Sequence, residues 1–245
     1  MSEPGSMIRA LSGRQTARNF HSYVIAEIGL GIASGRFAVG TVLPGDAEMM
    51  DSYGVSRTVL REALKTIEAK GLVEARAKVG TRVLPRGRWN LFDRQVLTWI
   101  HEAGPDRALL ESFVEVRQSV EMQAAALAAG RRTAEQLRML HYWLNQRQVT
   151  AAMAEPQALA EFEFHRMLCE ASQNPFLRAG SALVEFGVVC AMAPRMAAAP
   201  GDYAAEKAPF YAALADAVAG GDSGAAGVAM ADILRVDRGW ILSGG

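Results

Sequence analysis

Three positively charged side chains lie along one edge of a helix predicted in the first third of the sequence. In the segment YGVSRTVLREALKTIEAKG, residues 53–71, Arg57, Arg61 and Lys65 recur at intervals of four residues, about one helical turn. No carboxylate stands between them on that edge, and like charges at this spacing destabilise an isolated helix by about 0.2–0.5 kcal/mol per pair. We therefore expect a partner outside the helix to accept these charges.

The opposite face of the same helix is apolar and has to pack against other elements. Its amphipathic stripe consists of Leu60, Ala63, Leu64 and Ile67, and Ser56 is the predicted N-cap. A basic edge on such a helix could also be an ordinary solvated surface. The neighbouring segments are therefore needed to distinguish a binding surface from a solvated helix face.

The segments on both sides of the basic helix predict a winged helix-turn-helix. Asp46 is expected to cap a short helix, and Gly54 supplies the turn from that helix into the basic one. The following stretch, LVEARAKVGTRVLP, alternates weakly, which predicts a two-stranded hairpin with Lys78 and Gly80 at its tip. Such a motif places its second helix in the major groove of DNA, and the basic hairpin can reach backbone phosphates or the minor groove.

The composition indicates two regions of different charge. Residues 1–90 carry 13 Lys and Arg and 8 Asp and Glu, a net +5, whereas residues 91–245 carry 13 and 18, a net −5. This division favours contact with a polyanion in the first region only. No apolar run approaches the roughly 18 residues of a membrane span, and no secretion signal is found, so we expect a cytoplasmic protein without membrane contact.

The chain is expected to comprise a flexible leader (1–14), a winged helix-turn-helix domain (15–84), a linker (85–95) and a helical domain (96–245). Helical periodicity recurs through the last segment between breaks rich in Gly and Pro, and no convincing strand is found there. We therefore predict a mainly α protein, in which an N-terminal winged helix-turn-helix is followed by an all-helical antiparallel bundle. The predicted helices are 15–34, a short helix that Asp46 caps and that ends at Tyr53, the basic helix after Ser56, and 93–102, 107–129, 133–152, 155–172, 175–196, 203–219 and 223–241.

Four segments of the sequence resemble a known protein family. The segment LPGDAEMMDSYGVSRTVLREALKTIEAKGLVEARAKVGTRV is similar to the DNA-binding domain of the GntR family of bacterial transcription regulators. The segments FVEVRQSVEMQAAALAA, EFEFHRMLCEASQNPFL and ADAVAGGDSGAAGVAMADIL resemble the helical FCD effector domain of one branch of that family. The resemblance implies a homodimer that binds a double-stranded, pseudo-palindromic operator and changes its affinity when a small metabolite occupies the helical domain.

The resemblance also assigns DNA contacts to individual positions. Arg57, Thr58 and Arg61 match residues that contact DNA in the family, and Gly80 matches the glycine of the wing, whereas Ala47 replaces a polar or basic contact residue. With the charges and the cap identified from the helix itself, the expected DNA-binding residues are Ser56, Arg57, Thr58, Arg61, Lys65, Lys78 and Gly80.

Many FCD domains bind a divalent metal through one Asp and three His, and only two of those positions carry a ligand here. Glu161 and His165 match the first two, whereas Tyr211 and Ile233 stand in place of the other histidines. Two protein ligands leave too many coordination positions open for a tight site, so we expect no metal and no other cofactor. Glu161 and His165 would then form a hydrogen-bonded pair inside the bundle or contact an organic effector.

Arg117 matches a family arginine that faces the effector cavity. A partly buried guanidinium needs a carboxylate partner, which either Glu121, one turn further on, or a bound acid could supply. The stretch WNLFDRQVLTW resembles linkers of members that govern sugar-acid catabolism, which favours an acidic effector. The expected effector-binding residues are Arg117, Glu161, His165 and Tyr211.

Three functions are compatible with these features. The first is a DNA-binding regulator controlled by a small, carboxylate-bearing metabolite, and the second is an architectural DNA-binding dimer without an effector. The third is an enzyme that uses Glu161, His165 and Tyr211 for acid–base chemistry. No nucleophile elbow, phosphate loop or complete metal set supports the third, and it leaves the basic edge unexplained. We therefore predict the first function, without enzymatic activity.

Overall fold

The computed structural model describes residues 4–11, 20–192 and 200–243. The described residues form two compact units, one within Gln15–Pro105, here the winged unit, and one within Met1–Arg14 and Asp106–Gly245, here the helical unit. The helical unit contains α1 (Ser6–Leu11), α6 (Arg107–Arg131), α7 (Ala134–Val149), α8 (Ala154–Ala171), α9 (Pro175–Ala179), α10 (Ser181–Met192), α11 (Pro200–Gly220) and α12 (Ser223–Ser243). The winged unit contains α2 (Phe20–Ala33), α3 (Asp46–Tyr53), α4 (Arg57–Ala69), β1 (Val73–Arg76), β2 (Gly80–Val83), a 3-10 turn (Arg86–Arg88) and α5 (Arg94–Ala103).

Helices α3 and α4 form the predicted helix-turn-helix. Gly54 adopts a left-handed conformation (φ 64°) that reverses the chain after α3, and the Ser56 hydroxyl then accepts a hydrogen bond from the Val59 N–H at 3.4 Å. The apolar stripe of α4 is buried as predicted at Leu60, Ala63 and Ile67. This burial fixes the rotation of α4 and leaves its basic edge exposed.

The prediction that Asp46 caps α3 is wrong. Gly45 holds the N-cap position without a side-chain hydrogen bond, and Asp46 is the first residue of the helix. Its carboxylate lies 3.9 Å from the Arg57 Nε atom. A negative charge in the first turn still favours the helix through its dipole, although it does not satisfy the free N–H groups as a cap would.

The hairpin after α4 forms the wing. Strands β1 and β2 are antiparallel, with Val73 opposite Val83 and Arg76 opposite Gly80. An isolated bridge between Val42 and Arg82 attaches the segment before α3 to the outer side of β2. The hairpin is therefore hydrogen-bonded on both sides of its second strand.

The residues after the wing are anchored to the winged unit. Lys70, at the end of α4, accepts a hydrogen bond from the Asn90 N–H and forms a 2.6 Å ion pair with Asp93. The amphipathic helix α5 follows, and its Trp99 ring covers Gly29 of α2, where a Cβ atom would lie 2.4 Å from the ring. Residues 96–105, which the sequence assigned to the helical domain, therefore belong to the winged unit.

The described part of the predicted leader is an ordered helix. In α1, Met7 and Ile8 are buried against the helical unit, and the Met7 N–H donates to the Glu185 Oε1 atom at 2.7 Å. Residues 6–11, which the sequence assigns to the leader, therefore form a helix whose apolar residues cover a surface of the helical unit. Residues 1–3 and 12–14 lie outside the described part of the chain.

The helical unit packs its helices around an apolar core that includes Leu140, Phe164, Leu168, Leu214 and Ile233. The described helices agree with the sequence pattern, except that the helix predicted over 175–196 is divided at Gly180 into α9 and α10. Residues 15–19 of the first predicted helix and residues 193–196 lie outside the described part of the chain. The mainly α fold, a winged helix-turn-helix followed by an all-helical antiparallel bundle, is confirmed. None of the described helices is long and apolar enough to cross a membrane.

Candidate functional site

The basic edge of α4 is a solvent-exposed surface. Arg57, Thr58, Arg61 and Lys65 are all exposed, and 72% of the Arg57 side chain is accessible. Together with Glu62 they line one open concavity. The surface can therefore approach a charged macromolecule without any rearrangement of the helix.

The expectation that no local carboxylate meets these charges is wrong. Lys65 Nζ donates to Glu62 Oε1 at 2.8 Å, and this hydrogen bond lowers the pKa of Glu62. Arg57 lies 3.9 Å from Asp46, whereas for Arg61 the described residues provide no ion pair. Both pairs are exposed and weakly held, so a phosphate can replace either carboxylate.

The wing presents a second basic position. Lys78 has a left-handed backbone conformation (φ 63°) at the hairpin tip and is exposed, and the neighbouring Val79 N–H donates to the Arg76 carbonyl at 3.1 Å. Gly80 has φ 108°, and a Cβ atom there would lie 2.9 Å from Val42. Gly80 therefore shapes the wing through its backbone, and Lys78 provides its charge.

The helical unit encloses a second group of charges, which is almost completely buried. We call it the polar cluster, and each side chain in it is at most 3% exposed. Its members are Arg117 and Glu121 of α6, Arg147 of α7, Glu161 and His165 of α8, Tyr203, Lys207 and Tyr211 of α11, and Asp237 of α12. Burying so many charges is unfavourable unless nearly every one finds a partner.

Arg117 is paired within the protein. Its Nε atom donates to Glu121 Oε1 at 2.6 Å, and its Nη1 atom lies 2.9 Å from Asp237 Oδ2. Burial alone would lower the pKa of Arg117, but the two carboxylates outweigh it and raise that pKa. Burial likewise opposes ionisation of Glu121, yet Arg117 and His165 lower its pKa to about 2. The sequence left open whether Glu121 or a bound acid pairs with Arg117. In the structure Arg117 pairs with Glu121, and Asp237 is a second carboxylate partner.

His165 connects α8 to two other helices. Its Nδ1 atom is hydrogen-bonded to Glu121 Oε2, and its Nε2 atom lies 2.6 Å from the Tyr211 hydroxyl. Burial raises the pKa of Tyr211 well above its ordinary value, so the phenol keeps its proton and can donate to Nε2. An Nδ1–H group that donates to Glu121 and an Nε2 atom that accepts from Tyr211 satisfy both contacts. The alternative of a hydrogen-bonded pair between Glu161 and His165 is wrong, because each has a partner on another helix.

Lys207 is the central cation of the polar cluster. Its ammonium group contacts Glu161 Oε1, Asp237 Oδ1 and the Tyr203 hydroxyl. Burial lowers the pKa of Lys207, and the carboxylates of Asp237 and Glu161 oppose this effect. Burial by itself would raise the pKa of Glu161, but Lys207 and Arg147 more than compensate and lower it. The ammonium group therefore joins α8, α11 and α12 through charge.

The positions considered for a metal have other neighbours. Tyr211 is hydrogen-bonded to His165, and Ile233 lies in the apolar core. Within residues 4–11, 20–192 and 200–243 there is no group of three His, Cys, Asp or Glu side chains that could hold a metal ion. The cation that lies between Glu161 and Asp237 is the Lys207 ammonium group.

Comparison with known proteins identifies the family. Residues 21–83 match the model of bacterial regulatory proteins of the gntR family, and residues 112–236 match the FCD domain. The chain belongs to the GntR family of bacterial transcriptional regulators. The basic edge of α4 and the wing are thus parts of a GntR DNA-binding domain, and the polar cluster lies in its FCD domain.

Individual relatives agree with this assignment. The chain is 38% identical to the Escherichia coli HTH-type transcriptional regulator YieP over 71% of the chain and 77% of YieP. It is 31% identical to the Escherichia coli galactonate operon transcriptional repressor over 63% of the chain and 68% of the repressor. The solved structure of Lar, which controls expression of the Listeria monocytogenes agr system, shares the fold with a TM-score of 0.63 at 17% identity, over 94% of this chain and 99% of that one.

The polar cluster also contains four residues that the sequence motifs do not indicate: Arg147, Tyr203, Lys207 and Asp237. A signal for some of them was present in the sequence, because Tyr203, Lys207 and Tyr211 recur every four residues on α11. Glu161 and His165 have the same spacing on α8, as do Arg117 and Glu121 on α6. Polar residues at this interval on several apolar helices can indicate facing stripes inside a bundle.

Proposed function

We propose that this GntR regulator binds a double-stranded operator as a homodimer and that a small acid bound in the FCD domain controls its affinity. The observation that carries the proposal is the exposed row of Arg57, Arg61 and Lys65 on a helix whose other face is buried. Arginine at this position can donate two hydrogen bonds to a guanine or clamp a phosphate. Lys78 of the wing supplies a further phosphate contact.

The polar cluster supports control by an effector. A buried group of charges is often no more stabilising than an apolar core of similar volume, so its presence favours a role in binding over a role in stability alone. One relative is named as the repressor of a galactonate operon, and galactonate is a hydroxylated carboxylate. We infer an acidic, hydroxyl-bearing metabolite as the effector.

The contacts within the polar cluster also lead us to propose that the protein needs no metal and catalyses no reaction. We propose that regulation needs no metal, because Lys207 supplies the cation between Glu161 and Asp237. We also propose that the protein is not an enzyme: Glu161, His165 and Tyr211 do lie in one cluster, but each is engaged with other helices. Operator binding places the protein with the bacterial chromosome, in the cytoplasm.

The decisive experiment measures binding to DNA from the protein's own promoter region. Fluorescence anisotropy at several salt concentrations should show an affinity that falls steeply with salt, because phosphate contacts release counterions. Adding galactonate and related acids should then shift the affinity, and a chelator should leave both results unchanged. Salt-independent or undetectable binding to every fragment would refute the proposed function.

A further inference from the structure

Arg147 is the cation of the polar cluster with the weakest internal compensation. Arg117 has short contacts to Glu121 and Asp237, and Lys207 has short contacts to Glu161 and Asp237. Arg147 has one ion-pair contact among the described residues, a distance of 3.6 Å between its Nη2 atom and Glu161 Oε2. The side chain is nevertheless only 3% exposed.

The orientation of Arg147 leaves one edge of its guanidinium group available. The face of the group stacks on the Tyr211 ring, with its central carbon 3.3 Å from the ring centroid. Its Nε and Nη2 atoms are buried and find no hydrogen-bond acceptor within the described part of the chain. These two N–H groups lie on the same edge of the guanidinium, where a carboxylate can accept two parallel hydrogen bonds.

A neutral amide extends the same region along α8. Gln157 is 1% exposed and lies one helical turn before Glu161, on the same face of the helix. Both its Oε1 and its Nε2 atoms are buried without a hydrogen-bond partner in residues 4–11, 20–192 and 200–243. Glu161 Oε2, which faces Arg147, likewise accepts no hydrogen bond there. Polar atoms left in this state are unfavourable, and they are expected where a ligand satisfies them.

We propose that Arg147 and Gln157 form the subsite that recognises the effector, whose carboxylate binds the Nε and Nη2 atoms of Arg147. A hydroxyl group next to that carboxylate donates to Glu161 Oε2, and a further hydroxyl exchanges hydrogen bonds with the Gln157 amide. The ligand is therefore a polyhydroxylated carboxylic acid. This subsite rests on the proposed function. It assigns the carboxylate of the ligand to Arg147 rather than to Arg117, because Arg117 already forms short ion pairs with the carboxylates of Glu121 and Asp237.

The first test needs no ligand. If the Gln157 amide is unsatisfied in the free protein, the similarly sized apolar variant Gln157→Met removes a buried penalty and raises the melting temperature, by about 2–4 °C for a domain of this size. The matched control is Gln148→Met, because Gln148 is exposed on α7 and should show no change. A lower melting temperature for Gln157→Met would overturn the subsite, because it would mean that the free protein already satisfies the amide.

The second test uses galactonate, with galactitol as a probe of similar size without a carboxylate. Calorimetry on the full chain should show galactonate binding that weakens about tenfold or more in Arg147→Lys and in Gln157→Met, and galactitol binding weaker than that of galactonate. Arg147→Lys keeps the positive charge but cannot form the bidentate hydrogen bonds of an arginine with a carboxylate. Circular dichroism checks that each variant is folded.

The outcomes separate the subsite from the proposed function. Equal galactonate affinity in the wild type and both variants would overturn the subsite and leave an acid-controlled regulator standing. The operator could instead be released by other acids but not by galactonate. Together with a raised melting temperature in Gln157→Met, this result would support the subsite, and the same calorimetry on the wild type and both variants would then be made with those acids. A response to no acid would contradict the proposed effector and, with it, the subsite, whatever the melting temperature of Gln157→Met.

Discussion

The two units use the same charged residue types in opposite ways. On α4, Arg57 and Lys65 form exposed pairs with Asp46 and Glu62, and Arg61 has no ion pair among the described residues. In the FCD domain, Arg117 and Lys207 are at most 2% exposed and each contacts two carboxylates. Exposed pairs are screened by water and salt, so they can be exchanged for phosphates, whereas a buried charge that loses its partner destabilises the fold. One surface is therefore suited to reversible association and the other to holding helices together.

The largest effect is expected when Lys207 loses its charge. Lys207→Met leaves the carboxylates of Glu161 and Asp237 buried without their shared ammonium group, which should lower the free energy of unfolding by about 3–5 kcal/mol. Urea unfolding monitored by circular dichroism measures this difference. Lys65→Met, on the exposed edge of α4, is the matched control and should unfold like the wild type. If both variants were equally stable, the contrast between the two units would fail.

Replacing an arginine of α4 should weaken operator binding and leave the stability of the fold unchanged, whereas Lys207→Met is expected to lower stability. Arg57→Ala and Arg61→Ala are each expected to weaken operator binding by about 1–3 kcal/mol, roughly 10- to 100-fold, because each loses a charged contact with a base or phosphate. Their melting temperatures should stay at the wild-type value, since neither side chain is buried. Arg107→Ala, an exposed arginine of α6, should bind the operator normally. Wild-type operator affinity in both α4 variants would show that this edge is not the DNA contact.

Acid should weaken the FCD domain through Glu121. The pKa of this carboxyl falls from 4.5 to about 2 on folding, so its contribution is fully present above pH 4.5 and is lost as the pH falls towards 2. Between pH 5 and pH 3.5 the loss amounts to about 1 kcal/mol. Unfolding free energies measured at both pH values should therefore change less in Glu121→Gln than in the wild type. Parallel pH dependences would contradict the assigned role of Glu121.

The smallest effect is expected at the wing. Lys78→Ala should reduce affinity modestly and to a similar extent for all operator sequences, because a lysine at this exposed turn contacts phosphate rather than a base. The slope of log affinity against log salt should become shallower by about one unit. Anisotropy titrations at several salt concentrations, with specific and scrambled duplexes, measure both quantities. A selective loss for one sequence would place Lys78 on a base instead.

The two sites differ in how far their geometry follows from the sequence. Arg57, Arg61 and Lys65 could be placed on one edge because they belong to a single helix, whose rotation follows from Leu60, Ala63 and Ile67. The partners of Arg117 and His165 could not be placed in the same way. Glu121 was found because it lies one turn from Arg117, but Asp237 is 120 residues away in the sequence and meets Arg117 only after α12 packs beside α6.

Local sequence patterns were sufficient to predict most of the helices, the wing, the basic edge and the family, because periodicity and turn residues act over a few neighbouring positions. The packing of the helices against one another was needed to show that Lys207 lies between Glu161 and Asp237 and that His165 bonds to Glu121 and Tyr211 rather than to Glu161. It was also needed to show that one edge of the Arg147 guanidinium finds no hydrogen-bond acceptor in the described part of the chain. Contacts between helices depend on the packing of whole faces, and that packing is set by the collective burial of apolar side chains rather than by any local motif.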